Sequence, residues 1–358
     1  MEQFYCKTKI YAGPGAIRIL ADMQPKKLLV VTDPYFMENG IAQKIGQTAE
    51  KTEYFSQVQP DPSVELAARG AKVVQAFQPD TVVALGGGSA MDCAKAMVYF
   101  GKQQVQFVAI PTTSGSGSEV TDFAILTHEQ VKHPLVDGRI CPDMAILDSD
   151  LLANLPPKLI ADTGFDVLAH ALEAFVAKNA GAISNALARD AFCTVYGTLS
   201  ASYNGNTAVR QKLHTAATMA GMAFSNAGLG LCHALSHALG GAFHLPHGRL
   251  NAILLPEVIH CNAYSAQAQY AQLARCAGLG GQADSLAVRN LKNALIRLRK
   301  QLNMPGTLAQ AGIDPARVRQ QTDRLIAATL SDPCCQTNPI GVDALMVRSV
   351  LEAVTGHV

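Results

Sequence analysis

Four histidines fall within eighteen residues of the segment LCHALSHALGGAFHLPHG (231–248), among leucine, alanine and glycine rather than solvated polar residues. An imidazole in such a setting hydrogen-bonds, binds something or moves protons. His233 and His237 stand i, i+4 apart, one turn above each other on one helix face. Asp166 and His170, in TGFDVLAHALEAF, repeat that spacing. A carboxylate and several imidazoles form a ligand set for a divalent ion such as Fe2+ or Zn2+. Either pair alone reads as an ordinary helix hydrogen bond; both pairs, with His244 and His247 added, point to a metal site. On one straight helix His233 and His247 would lie about 21 Å apart along the axis, too far to share an ion. If both bind one metal, the chain turns back between them, and Gly240–Gly241 and Pro246 are the residues that permit it. Spacing leaves both His233/His237 and His233/His247 open as the second ligand pair.

A second chemistry is written into two glycine-rich loops. VVALGGGSAMDCAK (82–95) reads as a strand, a glycine triplet and a helix. Gly86, Gly87 and Gly88 allow close approach of the backbone to a ligand, and Ser89 is placed to cap a helix whose N-terminus favours an anion. The spacing is neither GxGxxG nor a Walker loop. PTTSGSGSE (111–119) leaves another strand end, with hydroxyls suited to a phosphate or a ribose. Each loop by itself reads as a tight βα turn, whereas two at neighbouring strand ends favour a nucleotide. Asp33 ends the first strong strand. There a carboxylate either accepts ribose hydroxyls and repels a 2′-phosphate, favouring NAD over NADP, or simply opens the turn before Pro34.

These residues need elements to hold them. Over 1–150, short apolar runs (KKLLVVTD, TEYFSQV, DTVVALG, QFVAIP, DMAILD) alternate with helical stretches such as 35–50 and SVELAARGAKVVQAF, where Ser63 is placed to cap. That alternation implies βαβ units and a mostly parallel, Rossmann-like sheet; with the two glycine-rich loops it makes 1–150 the expected NAD-binding α/β domain. After Asp150 strand signals nearly vanish. Helical spacing over 158–178, 183–203, 207–225, 265–278 and 284–302 predicts an all-helical domain over 151–358, which carries the candidate metal residues.

The 358 residues carry a net charge of +1, with 49% hydrophobic and 16% charged residues. That balance gives no electrostatic case for nucleic acid or an anionic membrane as partner. The nine cysteines show no CxxC spacing, and no apolar run is long enough to span a bilayer. A cytoplasmic protein with reduced thiols is expected.

The motifs GGGSAMDCAK, IPTTSGSGSEVT, DMAILD, TGFDVLAHALEA, GLGLCHALSHALGGAFHLPHGRLNAILLP and TNP (337–339), in this order, resemble the iron-containing, group III alcohol dehydrogenases over essentially the whole chain. Within that family the chain looks most like the members that act on 1-propanol in propanediol-utilising bacterial microcompartments. The resemblance implies that Asp166, His170, His233 and His247 bind Fe2+, with Zn2+ as the alternative ion. It leaves His237 beside the metal as a proton carrier. It further implies NAD(H) contacts from Asp33, Gly86, Gly87, Gly88, Ser89 and Asp92, from Thr112, Thr113 and Ser116, and from Lys132 near the nicotinamide ribose. It implies a homo-oligomer, a dimer, and association with microcompartment shell or enzyme partners. The reaction expected is hydride transfer between NAD and a small primary alcohol or aldehyde, with the ion as Lewis acid and His237 moving the proton.

Four positions depart from the family pattern. Ser116 replaces a threonine and keeps the hydroxyl, and Phe165 replaces a methionine beside Asp166. Cys232 precedes a proposed ligand, where a thiol invites oxidation. His244 has no family role and reads as a core histidine or one behind the ligands. Two alternatives stand beside this reading. One is a metal- and NAD-dependent lyase resembling dehydroquinate synthase, which needs clustered cations; Lys158, Lys178, Arg189, Arg210, Lys212 and Arg249 are dispersed. The other is a catalytically silent microcompartment protein.

Overall fold

A computed structural model describes residues 3–129 and 131–356. The chain divides into two compact units: Tyr5–Leu155, and Pro156–Val358 together with the residues before Tyr5.

Among the described residues of the first unit eight strands form: β1 (Lys9–Ala12), β2 (Lys27–Thr32), β3 (Lys51–Phe55), β4 (Thr81–Gly86), β5 (Gln106–Pro111), β6 (Phe123–His128), β7 (Val131–Val136) and β8 (Met144–Leu147). Six of them make one parallel sheet in the order β1-β8-β5-β4-β2-β3. Alternate residues feed opposite faces. Leu29, Val31, Val82, Ala84, Phe107 and Ala109 pack on one side against Leu66, Val74, Met91 and Met97 from the helices Val64–Phe77 and Gly88–Gly101. Leu28, Val30, Val83, Leu85, Val108 and Ile110 pack on the other against Leu20, Phe36 and Ile45. With both faces covered the strands read as unbroken apolar runs, and each buried Leu or Val contributes roughly 1.5–3 kcal/mol.

Three local details differ from the sequence reading. The stretch 35–50 is two short helices, Pro34–Glu38 and Ile41–Gly46, because Gly40 between them takes φ +80°. β6 and β7 stand outside the main sheet as an antiparallel pair. Ser89 does not cap its helix: Gly87 is the N-cap and no side chain bonds there, which places Ser89 inside the first turn. Ser63 does cap, accepting the Leu66 N–H at 3.1 Å.

The second unit has no strand among its described residues. Its helices that bear on the site are Pro157–Val176, Arg210–Ala227, Leu231–Phe243, His247–Cys276 and Thr322–Ser331. The chain does turn back between His233 and His247, but Gly240 and Gly241 stay helical. The break lies at His244, in the left-handed region at φ +55°, and at Pro246, the N-cap of the next helix. His244 is exposed, which corrects the expectation of a core or supporting histidine. Its backbone conformation is one glycine adopts without a steric penalty. His244→Gly is expected to leave turnover unchanged and to stabilise the unit by about 0.5 kcal/mol, the balance of relieved strain against unfolded-chain entropy; thermal melts check it. No helix among the described residues is long and apolar enough to cross a membrane.

Candidate metal centre and nucleotide loops

Three helices deliver their polar residues to one point in the second unit. From Pro157–Val176 come Asp166, His170 and Glu173, one stripe at i, i+4 and i+7. Leu231–Phe243 supplies His233 and His237, and the start of His247–Cys276 supplies His247 and Asn251. The Nε2 atoms of His170, His233 and His247 lie 3.9, 3.9 and 3.7 Å from Asp166 Oδ1. Donor atoms of Asp166, His233 and His247 all fall within 4.8 Å of one another. The His170 ring stacks on Phe224 and on His233, at centroid distances of 4.5 and 4.6 Å.

Neighbouring groups fix these side chains. His233 Nδ1 lies 2.6 Å from Glu173 Oε2, so the ring donates there and turns the lone pair of Nε2 toward Asp166. Burial, reinforced by the other imidazoles, holds His233 well below its ordinary pKa, which makes it the neutral imidazole a metal requires. The same Glu173 accepts the backbone N–H groups of Gly230 at 3.0 Å, Cys232 at 2.7 Å and His233 at 3.4 Å. It therefore caps the helix that carries His233. Burial pushes the Glu173 pKa up to about 7 against the pull of those N–H groups. Asn251 Nδ2 donates to Asp166 Oδ1 at 2.7 Å. Burial also raises the pKa of Asp166, with His170 and Asn251 opposing. A carboxylate, three convergent Nε2 atoms and a neutral His233 locked in its tautomer are the donor chemistry that suits a divalent ion.

Close helix contact makes this geometry available. A Cβ at Gly248 would overlap the Asp162 carbonyl and come within 3.2 Å of Asp166 Cβ. Arg249 clamps the same junction, donating to both carboxylate oxygens of Asp162 at 3.1 and 2.6 Å.

His237 stands beside this cluster, its ring stacked on His247 at 5.1 Å. Its Nδ1 lies 2.8 Å from Asp332 Oδ2. Burial disfavours the Asp332 anion, but the bond to His237 and the Cys334 N–H outweigh it and bring the pKa down to about 2. Glu173, Asn251 and Asp332 are absent from the sequence reading. Glu173 lay on the same helical stripe as Asp166 and His170, and that stripe was the available signal. Asp332 is 95 residues from its partner. Cys232 is fully buried beside Asn251, with burial raising its thiol pKa far above normal. That argues against the oxidation sensitivity expected there, since the thiolate is the reactive form. Phe165 is a fully buried core residue.

In the first unit Asp33, Gly86, Gly87, Gly88, Thr112, Thr113 and Ser116 sit together at the carboxyl ends of β2, β4 and β5. β2 leads outward to β3 and β4 returns on the other side of β2, so the chain reverses direction between these neighbours, the usual ligand position in such sheets. Gly86 takes φ +151°, and a Cβ there would lie 2.6 Å from Ala90 and 3.7 Å from Asp33 Oδ2. The two loops abut: Gly87 faces Thr113 and Gly88 faces Ser116, and the Thr112 N–H donates to the Gly86 carbonyl at 2.9 Å. Asp33 does open the turn, accepting the Phe36 N–H at 3.3 Å, and burial raises its pKa. Asp92 accepts from Ser118 Oγ at 3.2 Å, and burial lifts its pKa to about 6. Lys95, fully buried, donates to Ser118, Thr121 and the Phe123 carbonyl, tying the second loop to the helix of the first. Lys132, on β7, is paired with Asp61 at 2.7 Å.

Residues 7–149 match the model of the iron-containing alcohol dehydrogenases, and residues 160–355 match the C-terminal model of the same family. The chain belongs to the iron-containing alcohol dehydrogenase family. This alcohol dehydrogenase is 39% identical to a 1-propanol dehydrogenase of Citrobacter freundii, over 98% of its own length and 99% of the relative. It is 36% identical to an NADPH-dependent butanol dehydrogenase of Clostridium saccharobutylicum, over 99% and 98%. Among solved structures it resembles an iron-containing alcohol dehydrogenase from Thermococcus thioreducens, with a TM-score of 0.92 and 31% identity, covering 98% of this chain and 99% of that one. A sulfoacetaldehyde reductase from Bifidobacterium kashiwanohense, solved in complex with NAD+, superposes with a TM-score of 0.89 at 26% identity, over 99% and 98%.

Proposed function

We propose that this dehydrogenase transfers hydride reversibly between NAD(H) and short-chain primary alcohols or aldehydes, with propanal to 1-propanol as the favoured conversion. Asp166, His170, His233 and His247 are the residues that hold the divalent ion, Fe2+ first and Zn2+ second. The reading rests on one geometric fact, the convergence of three imidazole Nε2 atoms on Asp166 Oδ1. Bound there, a divalent ion supplies Lewis acidity toward an alcohol or carbonyl oxygen.

The chain's own groups do the rest. Asp332 engages Nδ1 of His237 and leaves Nε2 as the nitrogen that accepts and returns the substrate proton. Asp332→Asn, which keeps the shape and removes the charge, is expected to lower turnover about tenfold and also to lower the melting temperature at neutral pH, because a carboxylate held near pKa 2 stabilises the fold there; steady-state kinetics beside a thermal melt checks both. The first-turn N–H groups after Gly87, with no side-chain cap, suit a pyrophosphate. Thr112, Thr113 and Ser116 offer hydroxyls across from them. Asp33 favours the free ribose of NAD over a 2′-phosphate, which makes coenzyme choice informative beside the NADPH-dependent relative. The identity to 1-propanol dehydrogenases over nearly the full length supports the substrate. A lyase gripping an anionic substrate finds Arg249 already committed to Asp162.

The test is anaerobic purification, chelator treatment and assay of NADH and NADPH oxidation with propanal and longer aldehydes. Loss of activity on stripping, recovery with Fe2+ and preference for NADH are expected. Turnover that survives complete metal removal would overturn the proposal.

A further inference from the structure

A second group of potential ligands lies next to the first. His237, Asp332 and Cys334 each offer a ligand atom within 4.8 Å of the other two. One carboxylate organises the group: Asp332 Oδ2 meets His237 Nδ1 at 2.8 Å, and Asp332 Oδ1 accepts the Cys334 N–H at 2.9 Å. All three residues are half-buried, reachable by an ion yet partly shielded from water. The set differs from the first in carrying a sulfur. Nitrogen, oxygen and thiolate sulfur together select a borderline-soft ion such as Zn2+ over Mg2+ or Ca2+, and Zn2+ takes such ligands at about 2.0–2.3 Å.

We propose that His237, Asp332 and Cys334 form a second, inhibitory binding site for Zn2+. Burial and the neighbouring Asp332 carboxylate hold the Cys334 thiol well above its ordinary pKa, so it gives up its proton to solvent only as the sulfur binds the ion. His237 exchanges its bond to Asp332 for one through Nδ1 to the ion, and the ring proton then resides on Nε2. An imidazole in that form cannot take up the substrate proton, so filling this site switches the enzyme off while the first site stays loaded. The inhibition, though not the binding, rests on the reading of His237 as proton carrier.

Cobalt(II) tests the site directly. The first cluster contains no sulfur, so a sulfur-to-cobalt charge-transfer band reports the second one. Added to anaerobic, iron-loaded enzyme, Co2+ is expected to develop that band to one equivalent, to lose it in Cys334→Ser and Cys334→Ala, and to keep it in Cys335→Ser. Excess Zn2+ is expected to lower turnover by about a hundredfold, the usual worth of general acid–base catalysis. Each variant's rate is taken relative to its own zinc-free rate, and the Cys334 variants should resist. No sulfur band, or a band that survives both Cys334 substitutions, overturns the site. Equal zinc inhibition with and without Cys334 overturns the inhibitory role and traces the effect to iron displacement. A band with undiminished turnover keeps the site but removes His237 from proton transfer, a failure of the functional reading alone.

Discussion

Gly248→Ala is expected to empty the metal centre with the α/β unit still folded. A methyl group there runs into the Asp162 carbonyl, a backbone atom that no rotamer change can move, and then into Asp166. The start of the His247–Cys276 helix must back away from Pro157–Val176. His247 and Asn251 travel with it, one a proposed ligand and the other the donor that orients Asp166. Overpacking a core contact costs about 1–3 kcal/mol, and the rigidity of this one places it near the top of that range. A displacement of about 1 Å at a reacting centre costs on the order of a hundredfold in rate. Metal content by elemental analysis should fall with activity. A variant that keeps full metal and full turnover would show that the two helices separate without moving His247.

Glu173→Gln carries the second large effect. The carboxylate accepts three backbone N–H groups at the start of Leu231–Phe243 as well as the ring of His233. An amide offers one oxygen to those donors and turns an NH2 group toward the others. Metal affinity should drop about 10- to 100-fold, as for other groups that orient a ligating histidine. Stability should fall by about 2 kcal/mol through donors left without an acceptor. Competition with a chromogenic chelator measures the first and denaturant unfolding of the stripped protein the second. Loss of affinity with unchanged stability would confine Glu173 to tautomer control and remove it as a cap.

The sequence carried the parallel sheet clearly, because strands buried on both faces read as plain apolar runs such as LLVV. It carried the proposed metal ligands less completely. Spacing placed Asp166 with His170 and His233 with His237, but whether His237 or His247 joins His233 depends on a reversal at His244–Pro246 that periodicity does not locate. Gly240–Gly241 suggested the turn, yet both stay helical, within Leu231–Phe243. Glu173 escaped notice because a glutamate within HALEAF looks like a solvated helix residue until neighbouring helices bury it. Asp332 and Gly248 were beyond reach for a different cause: their roles exist only through partners far along the chain. The short β6–β7 pair was masked by its continuity with the second nucleotide loop.

Every group that orients the metal-side residues, from Asp162 through Glu173 and Asn251 to Asp332, belongs to the helical unit. Every residue proposed for the nucleotide belongs to Tyr5–Leu155. On these proposed assignments, coenzyme preference and metal chemistry are expected to vary separately between relatives. Exchange of the first 155 residues between relatives, such as the NADPH-dependent butanol dehydrogenase, offers a way to change one with the other left in place.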